Sequence, residues 1–394
     1  HSPTLFIEIN NSEYIFTVGD ANDQENFKLI YKSNIPIQGI KNFRVIDFNL
    51  VLNIIKNNIL IIEQKLNFTF KETVLILNNF NFSFVNLTGF KKLNGSQILR
   101  ENVTYILNSL KSYIDETENK KTIIHIFNSK YTLDGKKIDN LPIGLFGDFY
   151  SHELSFCLIN NNDYKNLKNI FKNCNLKINR ILLKSFVEGS LISNNNSDLD
   201  TFFQIKVNEN NSELLYFEND TLKFEQKFNF GTDLITKDIS KVTSLKMETI
   251  DQILAKNKLT TKISNDELVE QELFKRENYR KIRKKLIFEI AEARIHELVE
   301  ILIIKNINLS SYKKENRVIF INIINKIHFN CFKEVYSIFF SNNNFKVEYL
   351  ESITTDKIMK NANQLVQYGW KKEAIPMTHP RKSFIARFFD ILFS

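Results

Sequence analysis

The sequence predicts an α/β fold built twice, as two lobes that each open on a β-hairpin with a third strand beside it. Three observations carry this. Residues 5–9 and 14–18 run apolar around the polar turn Asn10-Asn-Ser-Glu13, and a strand at 27–31 follows another polar turn. The same succession recurs at 202–207, 213–217 and 221–228. After each opening, strand-length apolar runs alternate with segments of helical period. A chain of 394 residues is long enough for two or more domains with cores of their own.

In the first half, residues 48–66 read as a helix with Leu52, Ile55, Ile59 and Ile62 on one face. Residues 73–77 form a buried strand and 82–87 a half-exposed one. Ser96 is placed to cap a helix over 97–114 that carries Ile98, Val103, Ile106, Leu107 and Leu110. Strands at 122–127 and 130–133, a turn over 139–144, a strand at 153–159, a helix at 164–174 and a strand at 178–183 follow, up to the polar break Asn194-Asn-Asn-Ser-Asp198. In the second half, 233–254 reads as helix and a polar stretch runs through Asp266. A long helix is then expected over 267–304, followed by strand 318–323, helix 329–341, strand 345–349 and helix 354–369.

Composition narrows the function classes. Hydrophobic residues at 43% and charged residues at 25% give the balance of a globular protein. The 35 Phe, with abundant Asn, Ile and Lys, are all residues of A/T-rich codons, so aromatic or Lys richness alone does not argue for nucleic acid. The net charge of +8 favours a polyanionic partner, but no nucleic-acid motif accompanies it and no nucleic-acid partner is expected. The densest basic run, from Lys275 to Lys285, reads as the solvated opening of a helix. Cys157, Cys174 and Cys331 read as free buried thiols of a reducing compartment, and the six His form no ligand cluster, so no metal is expected. The first residues lack the basic and apolar regions of a signal peptide, and no run of about 18 apolar residues could span a bilayer.

Residues 381–394 stand apart. On a helix, Phe384, Ile385, Phe388, Phe389, Ile391, Leu392 and Phe393 share one broad arc. Arg381 and Lys382 sit at the entry after Pro380, and Arg387 lies on the opposite side. Such a helix is made to lie in a membrane interface, apolar face down and basic residues toward anionic headgroups. The polar, Pro-bounded stretch 373–380 reads as its linker.

Six stretches then carry a resemblance. Gln38-Gly-Ile-Lys-Asn-Phe-Arg-Val-Ile-Asp47 precedes the first long helix. His125-Ile-Phe-Asn-Ser-Lys-Tyr-Thr-Leu-Asp134 is followed by Asp139-Asn-Leu-Pro-Ile-Gly-Leu-Phe-Gly147. Gly231-Thr-Asp-Leu-Ile-Thr-Lys-Asp-Ile239 and Glu289-Ile-Ala-Glu-Ala-Arg-Ile-His-Glu297 follow, and the terminal amphipathic segment closes the set. In order and spacing over nearly the full length these resemble the bacterial cell-division FtsA family, actin-like membrane tethers for the FtsZ polymer.

The resemblance implies an actin-like fold. Its first lobe would comprise 1–78, 156–194 and 350–372, with an inserted FtsA-type subdomain at 79–155. A second-lobe core would fall at 195–240 and 310–349, with a partner-binding subdomain at 241–309. It further implies that Arg294 and Glu297 receive the acidic C-terminal tail of FtsZ, with Arg280, Lys281, Arg283, Lys284 and Lys285 as a basic approach. Self-association, other division proteins, anionic lipids and a peripheral place on the cytoplasmic face of the inner membrane complete the expectation.

Departures from the family pattern bear on the cofactor. Actin-like proteins hold ATP phosphates with two Gly-rich turns whose backbone N–H groups approach the oxygens, and hold the nucleoside with a third Gly pair. Here the first turn reads Glu8-Ile-Asn-Asn-Ser-Glu13, the second Gln204-Ile-Lys-Val-Asn-Glu209 and the third Ile321-Asn-Ile-Ile324. Asn10, Glu13, Lys206 and Asn322 replace loop residues, so ATP with Mg is expected to bind weakly or not at all and the chain is expected not to be an enzyme. If nucleotide binds, Gly231, Thr232, Asp233 and Thr236 are the residues left to hold it. The alternative is an actin-like ATP-binding protein or ATPase with rearranged loops.

Overall fold

The computed structural model describes residues 3–21, 27–312 and 317–374. It divides into two compact units, His1–Asp200 with Phe217–Phe224 and Ile353–Ser394, and Thr201–Tyr216 with Glu225–Ser352.

The first unit opens with an antiparallel meander of β1 (Thr4–Ile9), β2 (Glu13–Ala21) and β3 (Phe27–Pro36). A small hairpin, β4 (Ile40–Lys41) and β5 (Arg44–Val45), leads into α1 (Phe48–Leu66). Asp47 caps α1 by accepting the Leu50 N–H, and Val51, Ile55, Ile59 and Ile62 form its buried face. The chain returns as β6 (Glu72–Leu77), parallel to β1.

An insert follows, made of β7 (Phe82–Lys92), α2 (Arg100–Thr117), β8 (Lys121–Leu133), β9 (Lys136–Ile138) and β10 (Phe149–Asn160). Its sheet has the order β7-β10-β8-β9, and all its pairs are antiparallel. Val103, Ile106, Leu107, Leu110 and Ile114 of α2 pack on Ile126, Tyr150, Leu154 and Phe156 of that sheet. The helix crosses β7 at Gly89, where a Cβ would come within 2.5 Å of the Ile106 side chain. Next come α3 (Asn161–Asn173), β11 (Lys177–Leu183), which is parallel to β6, and α4 (Lys184–Asn195). The main sheet reads β3-β2-β1-β6-β11.

The second unit repeats the plan. Strands β12 (Phe202–Val207), β13 (Ser212–Glu218) and β14 (Thr221–Phe228) are consecutive. Helices α5 (Asp233–Thr243), α6 (Met247–Lys256) and α7 (Lys284–Val299) precede β15 (Arg317–Ile323), α8 (Lys326–Asn342) and β16 (Phe345–Tyr349). The order β14-β13-β12-β15-β16, with β15 parallel to both neighbours, matches the first sheet strand for strand. Helix α9 (Thr355–Tyr368) lies in the segment that returns to the first unit, and its Asn361 donates to Val187 O of α4 at 2.7 Å.

Several elements differ from the sequence expectation. The helix expected over 267–304 is α7 followed by a π-helical turn at Glu300–Ile304. Residues before it are held otherwise, because Leu268 and Arg283 form a β-bridge and Lys284 pairs with both Glu267 and Glu270. The helix expected over 233–254 breaks at Ser244, which takes φ 55°, so α5 and α6 are separate. Ser96 turns its hydroxyl back to Leu93 O, and Asn102 instead accepts the Leu99 N–H at the start of α2. The two strands expected at 122–127 and 130–133 are one, β8. Helix α4 was not expected, because its Ser and Gly residues show no apolar period. It is buried nearly all round, and Gly189 lets the Phe217 ring approach to within 2.6 Å of where a Cβ would stand.

Candidate functional site

The β1–β2 turn is where the family resemblance places the first phosphate-holding N–H groups. Asn10 fills it. Its Oδ1 accepts the Ser12 N–H and the Glu13 N–H, each at 2.9 Å, and the Ser12 hydroxyl at 3.0 Å. Its Nδ2 donates to Glu8 Oε1 at 3.1 Å, and Lys184 Nζ lies 2.6 Å from the same oxygen. Glu8 is 1% exposed and Asn10 8%. Glu13, where the pattern has Lys, accepts from Asn34 at 2.9 Å.

The β12–β13 turn is closed in a different way. Asn208 donates from its backbone to Asn211 O at 2.9 Å and from its side chain to Asn211 Oδ1 at 2.6 Å. The turn's carbonyls then face the start of α5: Thr232 N donates to Asn208 O and Asp233 N to Glu209 O, both at 3.0 Å. A helix start leaves such donors open to a cap, water or an anion. Gly231 makes this possible, since a Cβ there would stand 2.1 Å from Asn208 O. Asp233 pairs with Lys237 at 2.5 Å, and Thr236 Oγ1 lies 3.1 Å from His328 Nε2. Burial pushes the His328 pKa down to about 4, so the imidazole is neutral near pH 7. Lys206 faces Glu213 at 3.1 Å. The residues present at these two turns therefore do not fit a phosphate cradle.

At the third stretch, Asn322 is buried and donates to Ser352 at 3.5 Å. A cleft of about 540 Å³ opens beside it, lined by Ile323, Lys326, Phe329, Tyr349 and Leu350 among others. A cavity of about 640 Å³ in the first unit is lined by Thr4 and Glu72, the first residues of β1 and β6. That is the amino end of these parallel strands, whereas ligands of open α/β sheets bind at the carboxyl ends.

Arg294 on α7 is bound on two sides. Its Nε donates to Asp238 of α5, and its Nη1 to Glu297 at 2.7 Å, one turn on. The Asp238 bond, the largest influence, raises its pKa further. The side chain keeps 27% of its surface exposed and Glu297 keeps 55%. The basic approach is narrower than expected. Arg280 donates to Thr243 O and Ser244 O at the end of α5, and Lys284 is held by Glu267 and Glu270. Lys281 and Arg283 are exposed.

Residues 381–394, with Arg381, Lys382, Phe384, Ile385, Arg387, Phe388, Phe389, Ile391, Leu392 and Phe393, lie outside the described residues. Among the described residues no helix is long and apolar enough to cross a membrane, and no group of three or more His, Cys, Asp or Glu is placed to hold a metal. Cys157 and Cys331 are buried and Cys174 is half-buried; none of the three is in a disulfide, and burial pushes the Cys174 and Cys331 thiols up to about 11. Sequence reasoning missed Lys184 and His328, because each meets its partner only through long-range packing.

The repeated sheet with an insert between β6 and α3 defines an actin-like fold. The solved PilM–PilN type IV pilus biogenesis complex shares this fold at TM-score 0.50 and 9% identity, over 92% of this chain and 95% of that one. In sequence the chain is similar to the cell division protein FtsA of Buchnera aphidicola subsp. Acyrthosiphon pisum, 18% identical over 64% of this chain and 59% of the relative. It is also similar to FtsA of Buchnera aphidicola subsp. Baizongia pistaciae, 20% identical over 75% of this chain and 70% of the relative. The first match thus spans less than two thirds of that relative's length. No protein-family model matches the chain.

Proposed function

We propose that this chain is a division-machinery adaptor of the FtsA kind and not an enzyme. It takes the acidic C-terminal tail of FtsZ at the α7 face around Arg294 and Glu297. It holds that polymer at the cytoplasmic face of the inner membrane through residues 381–394, on anionic lipid. It associates with copies of itself and with other division proteins, and it does so without binding ATP appreciably. The similarity to two FtsA proteins carries the division role. The turn closed by Asn10, and the α5 donors taken by Asn208 and Glu209, support independence from nucleotide.

A nucleotide-binding reading is favoured by one feature, the cleft beside Asn322, together with the retained Gly231, Asp233 and Thr236. The experiment that separates the two is recruitment of FtsZ filaments to anionic liposomes by the full chain, with and without ATP. Recruitment without ATP is expected; no recruitment, or recruitment only with ATP, overturns the proposal.

A further inference from the structure

We infer that the first unit carries a built-in substitute for a metal-bound polyphosphate, made by Asn10 and Lys184 on Glu8. This rests on the reading of the β1–β2 turn as a former phosphate turn, and it concerns how that site is regulated.

Asn10 Oδ1 collects two backbone N–H groups and one hydroxyl at 2.9, 2.9 and 3.0 Å. A phosphate oxygen seated on the turn would collect the same kind of convergent donors. Beside it, Glu8 presents a carboxylate at the carboxyl end of β1 that is 1% exposed. A buried carboxylate needs a cation. Here the cation is Lys184 Nζ, 2.6 Å from Oε1, where a divalent ion could otherwise sit. Asn10 Nδ2 donates to that same Oε1 at 3.1 Å, so the side chain that holds the turn's N–H groups through its oxygen is itself fixed to the carboxylate that Lys184 neutralises.

Lys184 comes from another part of the chain. It is the first residue of α4 and follows β11 directly, so the contact ties α4 to the β1 turn. Helix α4 in turn accepts Asn361 of α9 through Val187 O and Ser190 Oγ at 2.7 and 2.8 Å. In a liganded protein such a connection would form only when the ligand bound. Here both substitutes are covalently part of the chain and cannot leave. The arrangement a ligand would impose is permanent, and the lobe has no nucleotide-dependent second state.

The test uses the full chain with thermal melts, magnesium tripolyphosphate and magnesium chloride as probes. Wild type is expected to melt at the same temperature with either probe. The Asn10→Gly/Lys184→Ala variant is expected to melt about 5 °C lower and to recover at least half of that loss in millimolar magnesium tripolyphosphate. Lys184→Ala alone, which leaves Glu8 without its ammonium, is expected to be stabilised by magnesium chloride. It decides the matter should the double variant not fold. The inference is overturned if neither variant responds to its probe, or if wild type responds as strongly. Binding of the FtsZ tail or of lipid is not read here, so the adaptor proposal stands or falls separately.

Discussion

His125 Nδ1 donates to Glu373 Oε1 at 2.6 Å while its Nε2 accepts the Leu183 N–H at 3.2 Å, which fixes one neutral tautomer inside the first unit. Arg180 pairs with the other Glu373 oxygen and donates to Leu365 O at 2.7 Å. All three side chains are at most 4% exposed. Burial alone would raise the Glu373 pKa; Arg180 and His125 overcome that and hold it at about 2.

Removing one member should therefore leave a buried charge unpaired. Glu373→Gln, or Arg180→Met, is expected to destabilise the first unit by about 3–5 kcal/mol. Urea unfolding followed by tryptophan fluorescence is a suitable measure, since Trp370 lies in the same segment and donates to Asp220 O at 2.7 Å.

Acid should weaken the fold through its buried imidazoles. Burial lowers the pKa of His125, of His152 to about 3 and of His328 to about 4. A depressed folded pKa means fewer protons bound in the native state, so stability is present above the unfolded value of 6.5 and is lost as pH falls below it. His328 alone should remove on the order of 3 kcal/mol by pH 4. The melting temperature should fall steadily from pH 6.5 downward, and His328→Gln should flatten that slope.

The insert offers a packing test. Gly89→Ala places a methyl against Ile106, where only 2.5 Å is available, and should cost about 1–3 kcal/mol. Adding Ile106→Ala should recover part of that loss, so that the double variant is more stable than the sum of the two single changes implies.

How much of this was legible in the sequence depends on whether the signal was local. The amphipathic α1 was readable from its period, because one face is buried and the other solvated, and the doubled openings were readable as apolar runs around polar turns, since β1 and β12 are buried along most of their length. Helix α4 was not, since Ser185, Glu188, Gly189 and Ser190 are buried beside Phe186 and Val187, leaving no polar face to set a period. The basic run from Lys275 to Lys285 looked helical, but Lys284 takes Glu267 and Glu270 as partners, and that pairing depends on how residues 267–283 fold back. At the candidate site, the loss of Gly at position 10 was visible, but what Asn10 bonds to was not.

The α7 partner site can be tested now that its neighbours are known. Arg294→Glu would set three carboxylates together with Asp238 and Glu297, so Arg294→Gln is the cleaner variant. Its half-exposed pairs should cost the fold no more than about 1 kcal/mol. Binding of an acidic FtsZ tail peptide should fall at least tenfold, measured by fluorescence anisotropy beside a thermal melt.

For residues 381–394, the expectation comes from sequence alone. Phe388→Glu/Leu392→Glu should abolish co-sedimentation with anionic liposomes. Wild type should bind reversibly on its own and more tightly when FtsZ filaments hold many copies together. Equal binding to neutral lipid would count against the basic residues Arg381, Lys382 and Arg387.

Residues 372–374 add an antiparallel bridge to β8. Asn128 N donates to Lys372 O and Ala374 N to Ile126 O, each at 2.7 Å, so 372–374 extends the β8 edge that β9 occupies further along. Glu373, between those bonds, is the residue gripped by Arg180 and His125. Force applied to residues 372–374 must first part these two backbone bonds and a buried ion pair before it reaches α9. Tension transmitted through residues 372–374 would thus load this bridge in the inserted sheet before it could unwind a helix.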